Sequence, residues 1–135
     1  MFIELDLQSE VPLYKQLADQ LVEGIASGTL SPGQPLPSVR TLAADLGINL
    51  HTVNKAYQAL KQDGFLEIHR KQGVIVQPGS QPSADEAFRQ RLQRDLRPLA
   101  AESVARGMSE ADLLELLRTL YRQIQNPPSK GGTSS

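Results

Sequence analysis

From Pro12 to Gly28 the apolar residues Leu13, Leu17, Leu21 and Ile25 recur at every fourth position, with Ala18 and Val22 widening the stripe. That period predicts an amphipathic helix, with Ser9 as its cap, Pro12 in its first turn and Gly28 as its stop. Leu30-Ser-Pro-Gly-Gln-Pro-Leu36 is too rich in Pro and Gly for a helix and reads as a loop. Ser38 then caps a short helix, Val39 to Leu46, with Leu42, Ala43 and Leu46 facing inward, and Gly47 ends it. A further helix runs from about Asn49 to Asp63, with Val53, Ala56, Tyr57 and Leu60 on its apolar face and Gly64 as its stop. Two short helices around a tight glycine turn form a helix-turn-helix pattern. After Gly64 the period drops to two. Phe65–His69 and Val74–Gln77 predict a hairpin with the basic tip Arg70-Lys71-Gln72-Gly73, which is a wing.

Residues 79–83 read as a linker, and a helical segment follows over 84–126. Ser83-Ala-Asp-Glu86 has the form of a capping box, and Phe88, Leu92, Leu96 and Leu99 make the stripe behind it. Pro98 predicts a kink or break near Arg97, because proline lacks the N–H that a helix interior uses. Gly107 ends this stretch and Ser109 opens another helix, with Leu113, Leu117, Leu120, Tyr121 and Ile124 on one side. Residues 127–135 hold no core-forming side chain and are expected to be disordered. The fold class expected is α+β, mainly α: a winged helix-turn-helix over 10–78 followed by a small two-helix extension.

Composition changes this picture chiefly by exclusion. The chain has 135 residues, no cysteine and two histidines, so disulfides and thiolate metal sites are out. His51 and His69 have no clustered acids in sequence, and no metal and no cofactor are expected. No apolar run approaches the ~20 residues of a membrane span. The acidic start does not resemble a secretory leader, so no membrane association and a cytoplasmic location are expected. No phosphate-binding loop, dinucleotide fingerprint or nucleophile elbow is present, and Asp112 with Glu115 reads as a solvated helix face. No catalytic residue is assigned. The net charge of −1 hides an uneven distribution. Residues 1–39 carry one base against five acids, whereas 40–78 carry five bases against three acids. The positive charge therefore collects on the helix-turn-helix and wing.

Gly28, Leu30-Ser-Pro-Gly33, Leu36-Pro-Ser-Val-Arg40-Thr-Leu-Ala43, Leu46-Gly47, Thr52-Val53, Ala56-Tyr57, Leu60, Gly64 and Gly73-x-x-Val76 together resemble the DNA-binding domain of the GntR family. The segment after the linker is too short for the large effector domains or the aminotransferase-like domain of other branches. It looks like the short YtrA-like branch. The resemblance implies an extension that dimerises and target genes that often encode neighbouring ABC transporters. Two departures bear on specificity. Many relatives carry arginine where this chain has Leu50, and many carry G-x-G at the wing tip where it has Lys71-Gln-Gly73.

A helix in the major groove offers its N-terminal turn and one face to base edges. The outward set here is Asn49, Leu50, His51, Thr52, Asn54 and Lys55. Asn pairs well with adenine, Thr and His donate to phosphate or base, Lys55 supplies charge, and Leu50 suits a thymine methyl. Asn49 serves equally as a helix cap, and Ser38 reads first as a cap and only second as a phosphate ligand, although it can be both. The resemblance assigns Arg40 to DNA, and Arg70, Lys71 and Gln72 at the wing are candidates for backbone or minor-groove contact. Phe88, Leu92, Leu96, Leu99, Leu113, Leu117, Leu120, Tyr121 and Ile124 are the dimerisation candidates, because two helices cannot hide that much apolar surface alone. The function expected is a homodimeric repressor on an inverted-repeat, double-stranded operator, with any small-molecule effector unknown. The competing class is a winged-helix protein–protein adaptor, whose mark would be an apolar or acidic face on this helix.

Overall fold

The computed structural model describes residues 3–127, so residues 128–135, most of the tail expected to be disordered, lie outside it. The elements are α1 (Leu13–Ser27), α2 (Val39–Leu46), α3 (Leu50–Asp63), β1 (Leu66–His69), β2 (Gly73–Val76), α4 (Glu86–Ala105) and α5 (Glu110–Gln125). They divide into two units between Pro82 and Ser83. It is a mainly helical fold with a small two-stranded wing, followed by a helical extension. Among the described residues no helix is long and apolar enough to cross a membrane.

In the first unit α3 packs against both α1 and α2. Leu17 and Leu21 of α1, Leu42 and Ala43 of α2, and Val53, Ala56, Tyr57 and Leu60 of α3 form one buried cluster with Leu66, Val74 and Val76 of the wing. The helical period of these residues is the reason the three helices share a core. Gly47 sits between α2 and α3 with φ 68, a left-handed conformation that glycine enters without a Cβ clash. Its N–H returns to the carbonyls of Ala43 and Ala44, so the last turn of α2 is closed before α3 begins.

β1 and β2 pair antiparallel, Leu66 opposite Val76 and His69 opposite Gly73. The sheet has an additional edge that the Pro/Gly-rich composition of Leu30–Leu36 concealed. Leu36 N–H donates to the Val74 carbonyl at 2.8 Å, and Val76 N–H donates to the Gln34 carbonyl at 2.9 Å. A bridge pairs Pro35 with Ile75, so the segment is a pinned edge and not a free loop. Proline is tolerated there because an edge position does not need its N–H. A turn at Pro32-Gly33, with Gly33 at φ 80, delivers the chain to this edge.

Other local expectations change as well. α1 takes Pro12 as its N-cap residue with no side-chain cap, while Ser9 accepts from Val11 N–H in a turn of its own. Residues 3–6 are part of the packed unit. Gln16 exchanges hydrogen bonds with the backbone of Asp6, and Gln20 does the same with Glu4, while Ile3 and Leu5 pack on the core.

In the second unit, α4 is capped by Asp85, whose carboxylate accepts from Phe88 N–H at 2.9 Å, and not by Ser83. It runs through Pro98 as one helix, so the expected break is absent. The carbonyl of Arg94 that proline leaves unbonded lies on an exposed helix, where solvent can satisfy it. Ser109 caps α5 by accepting from Asp112 N–H at 3.1 Å. No residue of α4 or α5 is buried.

Tyr57 is fully buried and donates its hydroxyl proton to the Pro37 carbonyl at 2.8 Å, joining α3 to the segment that leads into α2. Burial pushes its phenol pKa above the usual range, so the group remains a donor. Tyr57→Phe leaves that carbonyl without its partner and should cost about 1–2 kcal/mol of stability. Urea unfolding followed by circular dichroism checks this, and an unchanged midpoint would show the bond to be idle.

Candidate nucleic-acid interface

Because Val53, Ala56, Tyr57 and Leu60 are turned into the core, helical geometry turns His51, Asn54, Lys55 and Gln58 outward. All four are exposed, Thr52 is half-buried at the flank, and Leu50 is 36% exposed beside it. Gln58 was not among the sequence candidates. Its position one turn beyond Asn54, opposite the buried face, was the available signal.

The two competing roles of Asn49 meet in one side chain. Its Oδ1 accepts from His51 N–H at 2.7 Å and caps α3, so the amide oxygen is committed to the backbone and the NH₂ projects from the helix start. Ser38 is similarly committed. Its hydroxyl accepts from Thr41 N–H at 3.1 Å and donates to Thr41 Oγ1 at 3.0 Å. A hydroxyl has a single proton, so Ser38 has none left for a phosphate in this geometry. Thr41, exposed in the first turn of α2, carries the free hydroxyl proton of the pair. Sequence reading passed over it because its distinguishing feature is this bond.

Arg40 is exposed on the same turn of α2 as Thr41. Arg70, Lys71 and Gln72 form the exposed connection between β1 and β2. Among the described residues none of Arg40, Lys55, Arg70 or Lys71 forms an ion pair with a carboxylate. Lys55 instead lies over the Tyr14 ring, 4.1 Å from its centroid. On β1, His69 Nε2 meets Glu67 Oε1 at 2.7 Å, and among the described residues no group of three metal-ligating side chains exists. The arrangement is a polar helix face with uncompensated cations on α2 and on the hairpin tip. Such a surface suits a polyanion with readable base edges.

Residues 13–76 match the family described as bacterial regulatory proteins, gntR family. The chain is 42% identical to YtrA from Sulfolobus acidocaldarius, a GntR-family transcription factor, over 75% of this chain and 99% of that one, with a TM-score of 0.60. This chain belongs to the GntR family. The HTH-type transcriptional repressor YtrA of Bacillus subtilis is 28% identical over 91% of this chain and 95% of its own length. A transcriptional antiterminator from Listeria monocytogenes EGD-e has the same fold, with a TM-score of 0.87 over 98% of both chains at 20% identity. This GntR-family chain is thus a transcription regulator, akin to regulators and not to enzymes. The similarity to full-length relatives extends through the short helical unit after the wing.

Removing the cap of α3 should be measurable without DNA. Asn49→Ala should lower stability by about 1 kcal/mol, and Asn49→Asp, which keeps the accepting oxygen, should retain it. Equal stability of the alanine variant and the unaltered protein in urea titration would remove Asn49 from the capping role.

Proposed function

We propose that this GntR-family regulator is a cytoplasmic homodimeric repressor that binds an inverted-repeat operator through α3, with α2 and the wing on the phosphate backbone. The observation that carries this reading is the exposed polar face of α3, flanked by Arg40, Arg70 and Lys71, which form no ion pair among the described residues. Asn54, His51, Thr52 and Gln58 offer donors and acceptors toward base edges, and Asn49 adds its NH₂ at the helix start. Leu50 supplies an apolar contact for a thymine methyl. Thr41 and Arg40 suit phosphate oxygens near the start of α2, and Arg70, Lys71 and Gln72 suit the backbone beside the groove. An adaptor surface would present an apolar or acidic face, and only Leu50 has that character here.

The dimer is argued from unpartnered apolar surface. Phe88, Leu92, Leu96 and Leu99 of α4 are exposed, as are Leu117, Leu120 and Tyr121 of α5, while Leu113 and Ile124 are half-buried. The two helices do not pack along one another, so neither covers the other's stripe. Surface of this kind marks an interface, and a second copy gives the two-fold symmetry that matches an inverted repeat. The two copies of α3 would then meet half-sites about 34–36 Å apart, or a small multiple of that distance. Genes of neighbouring ABC transporters are the targets this branch of the family suggests.

Selection of bound duplexes from random DNA should yield an inverted repeat. On that duplex, Arg40→Ala and Thr52→Ala should each weaken binding by about 1–3 kcal/mol with folding intact. Normal affinity in both variants would put the reading face elsewhere. In sedimentation, Leu117→Asp combined with Leu120→Asp should turn dimers into monomers. A dimer that persists would locate the interface off α5.

A further inference from the structure

The cation on α3 that faces α1 is held differently from the other candidates. Tyr14, the second residue of α1, is half-buried, and the exposed Lys55 side chain crosses to it so that its ammonium stands 4.1 Å from the ring centroid. That distance is well inside the range of a cation–π contact. Lys55 lies one turn after His51, on the outward side of α3.

We propose that Tyr14 is a positioning residue that holds the Lys55 ammonium in place for a phosphate of the operator backbone, an assignment that rests on the DNA-binding reading above. Lysine has a long, rotamer-rich stem, and ordering it at the moment of binding subtracts from affinity. Packing on the ring fixes the stem beforehand. A carboxylate would also fix it, but it would neutralise the charge and compete with phosphate for the ammonium protons. A neutral ring orients the cation and leaves its charge available. The ring covers one side of the ammonium, and the exposed side remains open to an anion. Tyr14 is thereby linked to affinity although it belongs to α1, the helix whose surroundings carry most of the acids in the first 39 residues.

The test uses the full chain and a duplex obtained by selection, with Kd measured across a salt series. The proteins compared are the unaltered chain, Tyr14→Phe, Tyr14→Leu, Lys55→Met and the double variant Tyr14→Leu/Lys55→Met. Lys55→Met should flatten the dependence of log Kd on log salt by roughly one unit. Tyr14→Leu should weaken binding about three- to tenfold when Lys55 is present and add nothing in the Lys55→Met background. Tyr14→Phe keeps the ring and should bind as the unaltered chain does, which separates the contact from general damage to α1. Equal losses from Tyr14→Leu in both backgrounds would reduce Tyr14 to a packing role and overturn the assignment. An unchanged salt slope in Lys55→Met would overturn it also, because Lys55 would then reach no phosphate. If the unaltered protein enriches no duplex, the operator reading fails first and this assignment with it.

Discussion

The anchoring of α3 by its buried face governs what the rest of the first unit can present. Val53, Ala56 and Tyr57 have no exposed surface, and Leu60 has almost none. A helix has one rotational setting that buries those four side chains, so the polar positions between them have no freedom to face elsewhere. The Tyr57 hydroxyl adds a directional constraint, since its bond to the Pro37 carbonyl ties α3 to the chain entering α2. Apolar burial sets the rotation of the helix, and the hydrogen bond sets its relation to Arg40 and Thr41. The surface that meets an operator in our reading is thus determined by groups that never touch it.

Much of this was legible in the chain because the same periodicity that specifies the core specifies its complement. The stripe Val53, Ala56, Tyr57, Leu60 announced α3, and Gly47 and Gly64 marked its neighbours, since their left-handed φ values are costly for other residues. What escaped notice depends on partners distant in sequence. Gln16 and Gln20 read as ordinary helix-surface residues, yet their amides stand in for a neighbouring strand and bind the backbone of Asp6 and Glu4. Leu30–Leu36 read as a loop because proline and glycine dominate it, yet its backbone completes the sheet edge at Ile75. Of the kink or break expected at Pro98, the break does not occur, since α4 continues from Glu86 to Ala105. The rule that proline interrupts a helix concerns an unsatisfied carbonyl and a local clash, and a solvated helix absorbs the first of these more easily than a buried one.

The candidate site was legible as a list of residue types and less so as a set of roles. Asn49 and Ser38 carry groups suited to both DNA and backbone; the sequence favours the cap role for Ser38 and leaves Asn49 undivided. The coordinates divide them by proton count: the Asn49 oxygen and the Ser38 proton are already used within the helix caps. Thr41 and Gln58 gain interest for the same reason, since the Thr41 hydroxyl proton and the exposed Gln58 amide are not used within the caps. The contact of Lys55 is set by the fold alone, because Tyr14 is forty-one positions away and no local pattern joins them.

The second unit obeys a different constraint. A pair of helices with no buried residue has almost no apolar contribution of its own to set against the entropy of ordering its backbone. In the proposed dimer that contribution comes from another copy, so helix stability and association become one equilibrium that depends on protomer concentration. Operator binding by two linked winged units then favours the associated state by the same factor that association favours binding. A regulator built this way needs no large effector domain to be controllable. In the proposed dimer, whatever shifts the association of α4 and α5, including the amount of protein in the cell, would shift occupancy of the operator with it.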